Sequence, residues 1–92
     1  MGKLITDKRT IRAHGLRPKD QVNRDGSWWL VQRQCDPGTT ITIVMRVGED
    51  RKVDVPESGI SILASRGSRK ELFTFQSNTL LKIIRQREKV GT

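Results

Sequence analysis

Ninety-two residues, with 18 Lys and Arg against 10 Asp and Glu and a formal charge of +8, describe one small basic domain. A single cysteine excludes an internal disulfide framework and a cysteine-based metal site, and a single histidine excludes a two-histidine site. No run of about 18 apolar residues offers a helical membrane span, and Met1-Gly2-Lys3-Leu4 opens no apolar signal region, so a soluble cytoplasmic protein is expected.

Residues 1–20 set Lys3, Lys8, Arg9, Arg12, Arg17 and Lys19 against only Asp7 and Asp20. Within residues 1–19, Lys3-Leu4-Ile5-Thr6 and Arg9-Thr10-Ile11-Arg12 suit either an edge strand or a basic arm that orders on a polyanion. The arm is the expectation. His14-Gly15 and Arg17-Pro18 carry loop chemistry.

Residues 20–76 read as an antiparallel meander. Asp25-Gly26 is a two-residue hairpin signal, because a type I′ turn needs positive φ at both positions. It joins 20–24 to 27–34, pairs Val22 with Trp29 and sets Val22, Trp29 and Val31 on one face. Asp36-Pro37-Gly38 turns the chain into 40–47, where Ile41, Ile43, Met45 and Val47 alternate onto one face. A hairpin at Pro37-Gly38 brings either Trp28 or Trp29 beside that face, depending on loop length. Both faces over Trp28–Val31 are apolar, so cover on both sides is expected. Strands at 52–55, 60–64 and 72–76 follow, separated by Gly- and Pro-containing turns. The fold expectation is a mainly β protein: a small antiparallel five- or six-stranded curled sheet or SH3-like barrel with one C-terminal α-helix.

That helix is expected over 77–92. Ser77 or Asn78 suits an N-cap, and Leu80, Leu81, Ile83 and Ile84 fall within an arc of about 160° at helical spacing. Lys82, Arg85, Gln86 and Lys89 lie outside the arc, giving a basic amphipathic helix. A final strand is the alternative, since the β-branched Ile83-Ile84 is weakly helical.

Chemistry points to binding rather than catalysis. No nucleophile–base pair, phosphate-binding Gly-rich loop or metal-ligand spacing is present, so no enzyme, cofactor, metal or small-molecule substrate is expected. Residues 66–92 carry seven cations against Glu71 and Glu88, while 21–65 carry five cations against six carboxylates. Two basic segments flanking a neutral module suit a polyphosphate. Arg9, Arg12, Arg66, Arg69, Lys70 and Arg85 are the candidate nucleic-acid contacts, with RNA or single strands favoured over duplex. Trp28, Leu81 and Ile84 are the candidate stacking or interface residues. The alternative is a structural or adaptor subunit of a homo-oligomer or larger assembly, such as a phage or plasmid-type particle component or an inhibitor of host machinery. A metal-independent ribonuclease using Arg and Lys is a minor alternative.

Ile41-Thr42-Ile43-Val44-Met45-Arg46-Val47-Gly48-Glu49 resembles the opening strand and turn of the carbon storage regulator family of RNA-binding proteins, with Ile60–Leu63, Gly67 and Arg85 in similar later places. The resemblance implies an interlocked β dimer that binds mRNA leaders. It covers some ten residues closely. The family's later Gly and Ala-Pro positions are missing around Phe75–Thr79, and residues 1–39 have no counterpart, so its site residues are not carried over.

Overall fold

The computed structural model describes the backbone of residues 3–44 and 48–89 and the side chains of 5–44 and 48–86. Among the described residues eight strands run β1 Lys3–Arg12, β2 Gln21–Arg24, β3 Ser27–Cys35, β4 Thr40–Val44, β5 Asp50–Asp54, β6 Ile60–Arg66, β7 Arg69–Phe75 and β8 Leu80–Lys89. Six form one sheet in the order β1-β8-β2-β3-β6-β7, antiparallel at each pairing, and β4-β5 form a separate two-stranded sheet. The Asp25-Gly26 hairpin forms in the expected register, Val22 opposite Trp29 and Arg24 opposite Ser27. Its φ values of 52° and 81° are those a type I′ turn requires.

The expected C-terminal helix is absent. Leu80–Lys89 is a strand, paired residue for residue with Arg12–Lys3 and, at Ile83 and Ile84, with Val22 and Gln21. Leu81 and Ile83 are buried on one side, while Leu80 is exposed on the other. The apolar cluster that fits a helical arc also fits period-two alternation. The ten-residue ladder to β1 decides between them. The same ladder makes Lys3–Arg12 an edge strand rather than a free arm. Ser77-Asn78 caps nothing; it sits in a turn closed by Thr79 N–H donating to the Gln76 carbonyl at 3.0 Å.

That turn also bends the sheet. β7 and β8 stand four positions apart, about 19 Å across a flat sheet at ~4.8 Å per strand. Only four residues join them, and these make a tight turn. The sheet therefore curls until these strand ends approach each other, although β1 and β7 remain unpaired edges and no barrel closes. The inner face holds the main core: Val22, Trp29, Val31, Ile62, Ala64, Phe73, Leu81 and Ile83, with Ala13 and Leu16 from the 13–20 loop plugging it. Trp29 meets Phe73 edge-to-face at 4.9 Å between centroids.

The meander breaks after β3. Residues Leu30–Cys35 pair with β6, so β4 cannot return alongside them and pairs with β5 instead. Neither register expected for a Pro37-Gly38 hairpin forms; Met45 and Val47 lie outside the described residues. The β3–β6 ladder has a bulge at Gln32, where Val31 faces Ala64 and Arg33 faces Leu63. One extra residue shifts the alternation. Cys35 thereby turns to the outer face, where it packs with Leu63 and Leu72 beneath Ile41, Ile43 and Val55 of the hairpin region. The hairpin covers only that end of the outer face. Trp28 and Leu30, expected to be covered, remain 37% and 39% exposed.

Candidate nucleic-acid interface

Strand alternation sorts the expected site residues by face. Arg85 points inward with Leu81 and Ile83. Its Nε and Nη2 donate to Asp20 Oδ1 and Oδ2 at 2.9 and 2.7 Å, and Nη2 also reaches the Gly15 carbonyl at 3.0 Å. Asp20 is buried and also accepts the Arg17 backbone N–H at 3.0 Å. This forked pair locks the 13–20 loop onto β8, and the bond to Asp20 holds the Arg85 guanidinium above its ordinary pKa against the opposing effect of burial. Arg85 is thus committed inside the protein. Arg9 pairs with Asp7 at 3.2 Å.

Arg66 and Arg69 flank the β6–β7 turn opposite one another. They share a cleft with Arg24, Ser27, Asp25 and Glu71 at the rim of the inner face. The Arg24 guanidinium lies 4.1 Å over the Phe73 ring, and that of Arg69 lies 5.8 Å from the Trp29 ring while pairing with Glu71 at 3.2 Å. Arg24 was missed from sequence; its place beside Arg66 comes from two hairpins ending at the same rim. Lys70 points the other way and donates to the Val44 carbonyl at 3.2 Å. The six expected contacts therefore do not form one surface.

No described element covers the outer face of β1, β8, β2 and the first half of β3. It carries Lys8, Arg12 and Lys82 and, among the described side chains, no carboxylate. Arg12 donates to the Asn78 carbonyl at 3.3 Å. Lys8 and Lys82 make no ion pair among the described residues. Trp28 stands in the same region. The β2–β8 ladder stops at Val22 opposite Ile83, and a cleft of about 260 Å³ lies there, lined by Lys8, Arg9, Thr10, Trp28, Lys82 and Ile83. Of the three expected interface residues, Trp28 is exposed, Ile84 is half-buried on this outer face, and Leu81 belongs to the inner core. Lys8 and Lys82 were not singled out in the sequence. Their proximity depends on β1 pairing with β8, which a helical reading of 77–92 hides.

No cluster of His, Cys, Asp and Glu among the described residues suits a metal ion, and no described helix is long and apolar enough to cross a membrane. Comparison of the chain with family models, curated proteins and solved structures finds no match, so the short likeness to the carbon storage regulator family is not extended by any of them.

Proposed function

We propose that this is a non-enzymatic nucleic-acid-binding protein that prefers RNA or single strands and contacts phosphates through the uncovered outer face of its sheet. The carrying observation is the charge of that face: Lys8, Arg12 and Lys82 stand there without a carboxylate among the described side chains. A polyanion lying across them releases its counterions and meets no like charge. A broad strand surface suits a flexible strand better than a duplex major groove, which usually receives a helix. Arg66 at the inner rim, with no ion pair among the described residues, extends the phosphate track.

Affinity for a single-stranded RNA oligomer measured across salt concentrations tests the reading. Three to five phosphate contacts give a slope of log affinity on log salt of about −2 to −4. A flat response overturns it. The exposed Trp28, Leu30 and Leu80 favour a second reading, a subunit of a larger assembly. Sedimentation decides between them: an obligate oligomer indifferent to oligonucleotides supports the second.

A further inference from the structure

We infer that the Trp28 cleft receives one unpaired base of a bound strand, stacked on the indole, while Lys8 and Lys82 take the flanking phosphates; this rests on the nucleic-acid reading above. Three independent features meet here. Trp28 is 37% exposed although its neighbour Trp29 is buried at 6%, so its ring is held out of the core by strand alternation. The cleft beside it, about 260 Å³, is smaller than the roughly 300–1,000 Å³ of a drug-sized pocket and suits a single planar ring system. Two of its lining residues, Lys8 and Lys82, are cations with no ion pair among the described residues, while Arg9, which also borders it, is paired with Asp7. An aromatic platform with ammonium groups on its border matches a base with its phosphates, whose charges are opposite to those of the lining.

The position of the gap supplies the geometry. β2 has four residues and pairs with β8 at only two of them, Gln21 and Val22. The cleft is lined across that missing ladder by β3 on one side and by β1 and β8 on the other. Lys82 faces Thr10 and Lys8 faces Ile84 in the β1–β8 register, so the two ammonium groups come from adjoining strands on the same side of the sheet. A strand lying along the cleft has the ring on its β3 side and both ammonium groups on its β8 and β1 side, so the base meets one wall and the phosphates the other. Stacking is tolerant of base identity, so the site should accept single strands of varied sequence.

The test uses single-stranded oligo(U), an abasic oligomer of the same length and an RNA duplex, with the full-length chain. Trp28→Ala is expected to weaken oligo(U) binding by about 5- to 100-fold, the range of one base–aromatic stack. Trp28→Phe should keep much of the affinity, because a ring remains. Abasic and duplex binding should change by less than about threefold in either variant. Indole emission of the wild type should be quenched by oligo(U), and that quenching should disappear in Trp28→Phe. Circular dichroism and melting of both variants establish that they fold; if Trp28→Ala does not, Trp28→Phe quenching remains the readout. Unchanged oligo(U) affinity and unchanged quenching in the variants overturn the stacking site while leaving salt-dependent binding in place. Failure of the wild type to bind any of the three probes at low salt overturns the nucleic-acid reading itself. Self-association through Trp28 that is abolished by Trp28→Ala, with no oligonucleotide effect, also overturns the proposal and assigns the cleft to a second copy of the chain.

Discussion

Among the described side chains of the inner face most cations are already engaged. Arg85 is forked onto Asp20, Arg9 is paired with Asp7, Arg69 with Glu71, and Arg24 lies on the Phe73 ring. On the outer face Lys8 and Lys82 have no carboxylate partner among the described residues. The two faces come from the same strands, alternating residue by residue. The net charge of +8 therefore overstates what is free to meet a polyanion at some positions and hides it at others. A cation's worth to a ligand depends on which face it occupies, and strand register sets that.

The adjacent tryptophans give the sharpest way to break this contrast. Trp29→Ala removes a buried ring that contacts Phe73 and should destabilise the fold by about 4 kcal/mol. Trp28→Ala, one residue away, should cost no more than about 1 kcal/mol. Urea titrations of both variants measure the difference. Equal losses would mean that the outer face is as covered as the inner one.

A smaller effect separates the inner-face arginines from one another. Arg85→Ala leaves the buried Asp20 carboxylate without its forked partner and frees the Gly15 carbonyl, and should cost about 3 kcal/mol. Arg9→Ala breaks a pair whose side chains are 43% and 24% exposed, and solvent screening should hold the loss to about 0.5 kcal/mol. Thermal melts at neutral pH read both. A negligible shift for Arg85→Ala would show that the 13–20 loop is held by its backbone bonds to Ser77, Thr79 and Val31 and by Gln34, without need of the forked pair.

Much of the β architecture was legible where local chemistry decides it. Asp25-Gly26 specifies its own turn, and the turn fixes the pairing of Val22 with Trp29. The run from Ile60 to Phe75 is likewise split by Gly67, with Leu63 opposite Leu72 across the turn. What failed was non-local. Leu80–Lys89 satisfies helical and extended patterns alike, and only its ladder to Lys3–Arg12, some seventy residues earlier in the chain, selects the strand. The bulge at Gln32 leaves no signature in Val31-Gln32-Arg33, yet it turns Cys35 under the hairpin, and the meander expectation fails after β3 because β6 takes that edge. The candidate site shared this fate. Trp28 was recognisable as a residue needing a role, but Lys8 and Lys82 become its neighbours only through the β1–β8 pairing. Arg85 looked like one more cation because nothing in the sequence ties it to Asp20.

The smallest effects belong to the outer face, at its open end and at its covered one. Lys8→Gln with Lys82→Gln should move stability by less than about 0.5 kcal/mol and lower the magnitude of the salt slope by about 1.4, because both side chains are exposed and neither forms an ion pair among the described residues. Cys35, by contrast, is buried beneath the β4–β5 hairpin, and burial pushes its thiol above the ordinary 9.0, with Arg33 partly opposing the shift. The folded protein then holds the thiol proton more tightly than the unfolded chain. The resulting contribution to stability is whole below about pH 9 and is lost as pH rises through the folded value. Other groups titrate over the same range, so the comparison is made against Cys35→Ala, which carries a pH-independent packing loss and no thiol. Urea melts of the two proteins at pH 7 and at pH 10.5 should show the gap between them narrowing at the higher pH. A gap that stays constant would mean that Cys35 ionises equally in the folded and unfolded chains. The hairpin would then shield this end of the outer face no better than solvent shields Lys8 and Lys82.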